Sequence, residues 1–469
     1  MKKRLMFLFS LLSIGSLGAV NGQDDCNLKN DCNFNGKGSF VKQENGKNNR
    51  LITIDELFPS SDVKCKTCGK TMRVFKDEEY EKECDYCGSL LFEPTKTMVK
   101  SSLTQIIDGV SYPLIGCKVE LWDNIDNLID VSKTNSLGRI KFKFETSKLG
   151  TTFSRCKIIA YAGDDNVIVM NQNRTLYKLK GDFTSINKGK VNNFNGFSVT
   201  VDIGGGNSQN NAFYVGQAAL RAKEFAEDMM GREPDPVDLF YPALYSSQNS
   251  TVSYYRSNIL GNNSINITRG FYNNNFDTVM HEYGHHVQSQ LGFSYFHLNI
   301  FSHEFDVKLK GYINSEGHKY STSEANKLAW AESWPTVFGQ IAQKYSISKC
   351  REIPNPGIGL SNGSAYREWI YGDSIFNLDY DLENSRMYNG YQGEDCEYTI
   401  AGVLWDVFDT YSTSDADQDN IAFTYKGWFD ITTSGKYSTF KDFYKGFTTT
   451  YSYLKTNFTN LLIGKNISY

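Results

Sequence analysis

The stretch Met280-His281-Glu282-Tyr283-Gly284-His285-His286-Val287 decides how this chain is read. On a helix, residues four apart share one face about a turn from each other, so His281 and His285 can aim two imidazole nitrogens at one cation. Glu282 lies beside that face, where a carboxylate can take a proton from water held by the metal. The chain has only six His among 469 residues, which makes chance a poor account of the H-E-x-x-H spacing. The flanks predict a helix, with Asp277 as N-cap, Val279, Met280 and Val287 as apolar positions, and Gly292 as the stop. His286 stands about 100° further round and should point away from a metal. His297, His303 and His318 fall in polar, loop-like sequence and read as surface residues.

Two His are an incomplete set, because a catalytic zinc takes three protein ligands and keeps one position open. Val287-Gln288-Ser289-Gln290-Leu291 supplies no third His, so the remaining ligand must come from elsewhere. Leu328-Ala329-Trp330-Ala331-Glu332-Ser333-Trp334 is apolar nearly all round, which predicts burial. A carboxylate there needs a partner, and a cation is one; the competing reading is a core carboxylate hydrogen-bonded to Trp330 or Ser333. Glu304, Glu316 and Glu324 are the rivals, each set in sequence that reads as surface or helix start.

His281-Glu282-x-x-His285 followed by Trp330-Ala331-Glu332-Ser333-Trp334 resembles the gluzincin metallopeptidases, the group of thermolysin and aminopeptidase N. The resemblance covers roughly residues 212–469 and rests on these two motifs. It implies one catalytic zinc on His281, His285 and Glu332, with Glu282 as general base towards a peptide or protein substrate. It also implies a Tyr or His donor for the oxyanion, for which Tyr398 is the candidate among 29 Tyr. Three departures stand out: a separation of 47 positions between residues 285 and 332, Ser333 where Gly is common, and Pro335, which should kink the second helix. Asp406 and Asp409 lie on the polar side of the helix-like Ala401–Asp406 region, positioned to orient a ligand His or to form a solvated face.

The N-terminus reads as a signal peptide over 1–22: Lys2-Lys3-Arg4, then an apolar run from Leu5 to Val20 that ends in small residues. No later run is long enough to span a bilayer, so the expected product is secreted or luminal. A net charge of −4 offers no basic patch for nucleic acid. Sequons at Asn173, Asn249, Asn262, Asn266, Asn362, Asn457 and Asn466 are candidate glycosylation sites.

The expected organisation is multidomain α+β. Residues 23–60 are Asn-, Gly- and Lys-rich and read as poorly ordered; with the segment that follows, to about residue 100, they could form a propeptide. In 61–95, Cys65-Lys66-Thr67-Cys68-Gly69 and Cys84-Asp85-Tyr86-Cys87-Gly88 resemble a zinc ribbon, a closed four-thiolate structural site. An oxidising compartment would favour disulfides between the same residues. Residues 100–203 alternate with period two, as in Cys117–Trp122, Ile140–Phe144 and Phe197–Val201, which predicts an all-β sandwich. Gly116–Leu121 with Thr134–Ile140 resembles transthyretin-like and carboxypeptidase-regulatory-like domains. Cys117 and Cys156 could staple two strands or stay free. Residues 204–211 read as a linker, and 212–469 as a mainly helical, two-lobed metallopeptidase unit in which Cys350 and Cys396 remain for a disulfide. A second functional reading is a metallopeptidase-like protein retired to binding or adhesion; the intact Glu282 argues against it. A third is a structural secreted protein in which the motif is accidental.

Overall fold

The computed structural model describes residues 60–75, 82–91, 95–149, 155–201, 208–243, 253–257, 263–267, 276–293, 319–349, 351, 365–369, 377–382, 392–409 and 421–469, with three short strands before residue 54. The signal-peptide segment, Cys350, Glu304, Glu316 and the sequons at Asn249, Asn262 and Asn362 lie outside the described residues. Within 23–60, read as poorly ordered, β1 (Cys32–Phe34), β2 (Ser39–Lys42) and β3 (Arg50–Thr53) form an antiparallel sheet. Short β-prone runs such as Ser39-Phe40-Val41 and Leu51-Ile52-Thr53 sit inside the polar composition and were masked by it.

A hairpin of β4 (Ser60–Lys64) and β5 (Thr71–Phe75) begins the ribbon segment. Beyond it run β6 (Lys96–Ile107), β7 (Val110–Pro113), β8 (Lys118–Asp123), β9 (Leu128–Lys133), β10 (Arg139–Glu145) and β11 (Arg155–Tyr161). Then come β12 (Val167–Met170), β13 (Lys178–Lys180), β14 (Thr184–Ser185), β15 (Val191–Asn193) and β16 (Phe197–Thr200). One sheet centres on β6, which pairs antiparallel with β10 and β7 and parallel with β15 and β16. The other runs β13-β11-β8-β9, with β14 also on β11. Alternation places Ile140, Phe142 and Phe144 of the first sheet in one core with Val119, Leu121 and Ile158 of the second.

Cys117 and Cys156 do not staple these strands. In the antiparallel register Val119 faces Ala160 and Cys156 faces Asp123, which puts the two cysteines at opposite ends of the ladder. Six residues of strand separate them, roughly 20 Å, against a disulfide reach of about 7 Å between Cα atoms. Both thiols are buried, and burial pushes each up to about 12. Among the described residues there is no disulfide.

The expected boundary at 204–211 is not a break in the core. Residues 208–211 already belong to helix α1 (Ser208–Met230), whose good helix formers outweigh the polar Asn-Gln start. Strand β12 leaves the sandwich to pair in parallel with β17 (Val237–Phe240), the connection between them running through β13, β14, β15, β16 and α1. The sheet continues through β19 (Asn263–Asn266) to β18 (Tyr254–Arg256), which is antiparallel. Gln217 of α1 clamps Ile115, accepting from its N–H at 2.6 Å and donating to its carbonyl at 2.7 Å. At Gly216 an added Cβ would lie 1.9 Å from the Ala162 carbonyl oxygen, so glycine is what lets α1 rest on the sandwich. Sandwich and helices therefore share one hydrophobic core.

The remaining helices are α2 (Phe276–Leu291), α3 (Thr322–Ser348), α4 (Glu397–Asp406), α5 (Tyr425–Thr433), α6 (Phe440–Thr450) and α7 (Lys455–Gly464), with a hairpin of β20 (Ala365–Trp369) and β21 (Asn377–Asp381) between α3 and α4. Among the described residues no helix is long and apolar enough to cross a membrane. Asn173, Asn457 and Asn466 are exposed, whereas Asn266 is buried inside the β17–β19–β18 sheet. Its side-chain amide donates to Ser264 Oγ at 3.2 Å, so the sequon there is not a surface site.

Candidate metal centre

Helices α2 and α3 cross at small residues. A Cβ on Gly284 would come within 2.8 Å of Pro335 Cα, and one on Gly339 within 3.2 Å of Met280 Cβ. Helix α3 starts at a capping box, with Ser321 Oγ accepting from the Glu324 N–H at 3.3 Å and Glu324 Oε2 accepting from the Ser321 N–H at 2.8 Å. Glu324 is therefore a cap and not a ligand candidate. Pro335, at which a kink was expected, lies inside α3, whose helical assignment continues through it. Asp277, expected as an N-cap, stands instead within the first turn of α2, buried, with Oδ1 accepting from Gln340 Nε2 at 2.7 Å and from Gln343.

At this crossing three acceptor atoms converge. His281 Nε2 and His285 Nε2 are 3.1 Å apart, and Glu332 Oε2 lies 3.2 Å from the first and 3.0 Å from the second. The hydrogen-bond network assigns the protons. Thr336 Oγ1 donates to the Glu332 carbonyl at 3.1 Å, so at 3.0 Å from His281 Nδ1 it must accept. Gln288 Nε2 donates to the Ala331 carbonyl at 3.1 Å, which turns its Oε1 towards His285 Nδ1, also at 3.1 Å. Both imidazoles thus carry their proton on Nδ1 and present Nε2 lone pairs to a carboxylate. One proton could bridge a single pair of these atoms, whereas a cation satisfies all three. Zinc at 2.0–2.1 Å from tetrahedral ligands places them about 3.3 Å apart, close to the separations found. The donor set therefore fits the metal.

Burial is uneven around the cluster. The His281 side chain is 1% exposed, while His285 and Glu332 keep 15% and 13%, so the cluster opens on one side. Glu282 is fully buried on the flank of α2. His286 points away to the Asp235 carbonyl at 2.9 Å, and burial lowers its pKa to about 4, which keeps it neutral. Tyr255 of β18 stacks on His285 with 6.4 Å between ring centres and 19° between planes. Sequence gave no sign of Tyr255, Thr336 or Gln288, because their partners are set by the helix crossing and the sheet edge. Tyr398 is buried on α4, whose first turn is tied to α3 by Ser333 Oγ donating to the Glu397 carbonyl at 2.6 Å. Asp406 is not on a solvated face: it is buried, with Oδ2 3.2 Å from Lys465 Nζ. The ligand imidazoles are oriented by Thr336 and Gln288.

A second cluster gathers Cys65, Cys68, Cys84 and Cys87, whose sulfurs all lie within 4.8 Å of one another. Cys65 and Cys87 are 3.7 Å apart, Cys68 and Cys84 3.4 Å, far beyond a disulfide bond and near the roughly 3.8 Å of a tetrahedral zinc–thiolate site. The two knuckles repeat one geometry: Gly69 N–H to Cys65 O and Gly88 N–H to Cys84 O, both 2.8 Å, with both glycines at positive φ. The Cys68 N–H lowers the Cys65 thiol, and the Ser89 hydroxyl and N–H bring Cys87 to about 6. Cys68 gains from the Lys70 N–H, but burial and the neighbouring sulfurs outweigh it and take it up to about 12. Four thiolates cannot coexist there without a cation.

No family model and no curated protein sequence matches the chain. Among solved structures it is similar to a 9R-lipoxygenase from Cyanothece PCC8801 at 12% identity and a TM-score of 0.17, over 29% of this chain and 24% of that one. A likeness of that size carries no argument about fold or activity.

Proposed function

We propose that the chain is a secreted zinc-dependent peptidase that hydrolyses peptide bonds with water, Glu282 serving as general base. The observation that carries this reading is the convergence of two Nε2 lone pairs and one carboxylate oxygen within 3.2 Å, open on one side. His281, His285 and Glu332 would hold the metal, and three ligands leave the open position that catalysis needs. When bound, zinc supplies a Lewis acid that acidifies water and polarises a carbonyl. Glu282 takes the proton from the attacking water and passes it to the leaving amine, and its burial keeps bulk water from competing for the carboxylate. Strand β18 pairs with β19 on one side alone among the described residues and carries Tyr255 against His285. An extended peptide laid along that edge comes within reach of the metal position. The Cys65, Cys68, Cys84 and Cys87 site would hold a second, structural zinc, since four thiolates leave no open position.

Replacing Glu282 with Gln tests the chemistry. The variant should keep its metal and its fold while peptide hydrolysis drops by roughly 10³-fold or more, because the amide cannot accept the proton. Turnover near the wild-type value would overturn the assignment of the base. Metal bound at this site with no hydrolysis of any peptide by the wild-type chain would favour the alternative, a metallopeptidase-like binding protein.

A further inference from the structure

Pro335 has no N–H, so the Ala331 carbonyl one turn earlier in α3 loses the i+4 hydrogen bond it would ordinarily accept. A buried carbonyl without a partner is costly. Here it is taken from across the crossing by Gln288 of α2, whose Nε2 donates to it at 3.1 Å. The bond fixes which end of the Gln288 amide faces which way. Its Oε1 is left to receive the His285 Nδ1–H at 3.1 Å. Gln288 is itself fully buried, so no water competes for either end of the amide. The close approach that this relay needs depends on Gly284, whose absent Cβ makes room for the Pro335 ring.

From this geometry we infer that Gln288 is a positioning residue for the metal centre: anchored on the carbonyl that Pro335 frees, it sets the tautomer and ring orientation of His285. The inference rests on the metal-site reading above. The proline that breaks the expected pattern of α3 is thereby part of the site. Without Gln288, the His285 proton can sit on either nitrogen and the ring can rotate, so part of the population offers the wrong atom to a cation. Gln290, two residues on in the same helix and turned to a different face, is held elsewhere: its Oε1 accepts from the Asp235 N–H at 3.0 Å and its Nε2 lies 2.7 Å from His286 Nε2.

The test is a cobalt(II) titration of the full-length mature protein, comparing wild type, Gln288→Ala and Gln290→Ala. The visible d–d bands of a site with His and carboxylate ligands are distinct from the thiolate charge-transfer bands of the four-cysteine site, so each is followed separately. Gln288→Ala should require about 10–100-fold more cobalt to fill the His–Glu site while the thiolate bands fill as in the wild type. Gln290→Ala should leave both titrations in place even if its melting temperature falls. Equal cobalt affinity in Gln288→Ala and wild type, or an equal loss in Gln290→Ala, would overturn the positioning role. A wild-type chain that shows no His–Glu cobalt bands at all would instead overturn the metal-site reading itself, so the two failures are told apart.

Discussion

Asp164 shows at the scale of one residue how the interior handles charge. Its carboxylate is nearly fully buried and accepts from Lys133 Nζ and Lys223 Nζ, both at 2.8 Å, and from the N–H groups of Asn166 and Val167. Burial alone would raise its pKa, but the two lysines and the turn N–H groups outweigh burial and hold it below the usual carboxylate value. The native state therefore keeps Asp164 ionised where the unfolded chain takes up a proton. Its contribution is fully present above about pH 4 and is lost as pH falls through the native value. Asp164→Asn should cost about 1–3 kcal/mol at neutral pH, because the buried Lys223 loses one of its two carboxylate partners and keeps only Glu233. Urea unfolding of both proteins from pH 7 downwards should show the gap closing in acid, and a gap independent of pH would refute the account. The pairing of the candidate ligands His281 and His285 was legible in the sequence because helical periodicity alone puts them on one face. Glu332 was legible because a carboxylate in an apolar run needs a cation or a proton. Thr336, Gln288 and Tyr255 were not, since nothing local to them signals a partner contributed by another element.

At the scale of elements, the crossing of α2 and α3 determines whether the site exists. Helix α2 was readable from its His spacing and flanks and the Glu332 segment of α3 from its apolar run, but the part played by Pro335 was not. Local chemistry says that proline breaks a helix, yet here Gln288 satisfies the freed carbonyl and the helix runs through. The Asp277 position failed for the opposite reason: an N-cap preference was overridden by two buried glutamine amides that draw the carboxylate into the core. Because the helix contact is made at Gly284, Gly284→Ala should push the axes apart against Pro335, where the added atom would meet backbone at 2.8 Å. The expected loss is about 1–3 kcal/mol, together with weakened metal binding as Glu332 retreats from the imidazoles. A urea midpoint and a metal affinity both equal to wild type would show that the crossing has slack.

For the molecule as a whole, the sequence divided the chain where its composition changes, and the structure joins it there. Strand β12 leaves the sandwich for the sheet that runs beside α2, and α1 bridges the two with Gln217 on Ile115. A four-residue strand such as Val167–Met170 carries no mark of which sheet it will join. The two candidate metal clusters differ in the chemistry they allow: four sulfurs around a closed point, and three acceptors with an open side at the helix crossing. The most direct measurement is an anomalous difference map at the zinc edge from a crystal of the protein grown with zinc. It should show a peak about 2.0–2.2 Å from His281 Nε2, His285 Nε2 and Glu332 Oε2, beside the peak expected among the four cysteines. Zinc among the cysteines with none at the helix crossing, and a direct hydrogen bond from Glu332 to an imidazole in its place, would contradict the account.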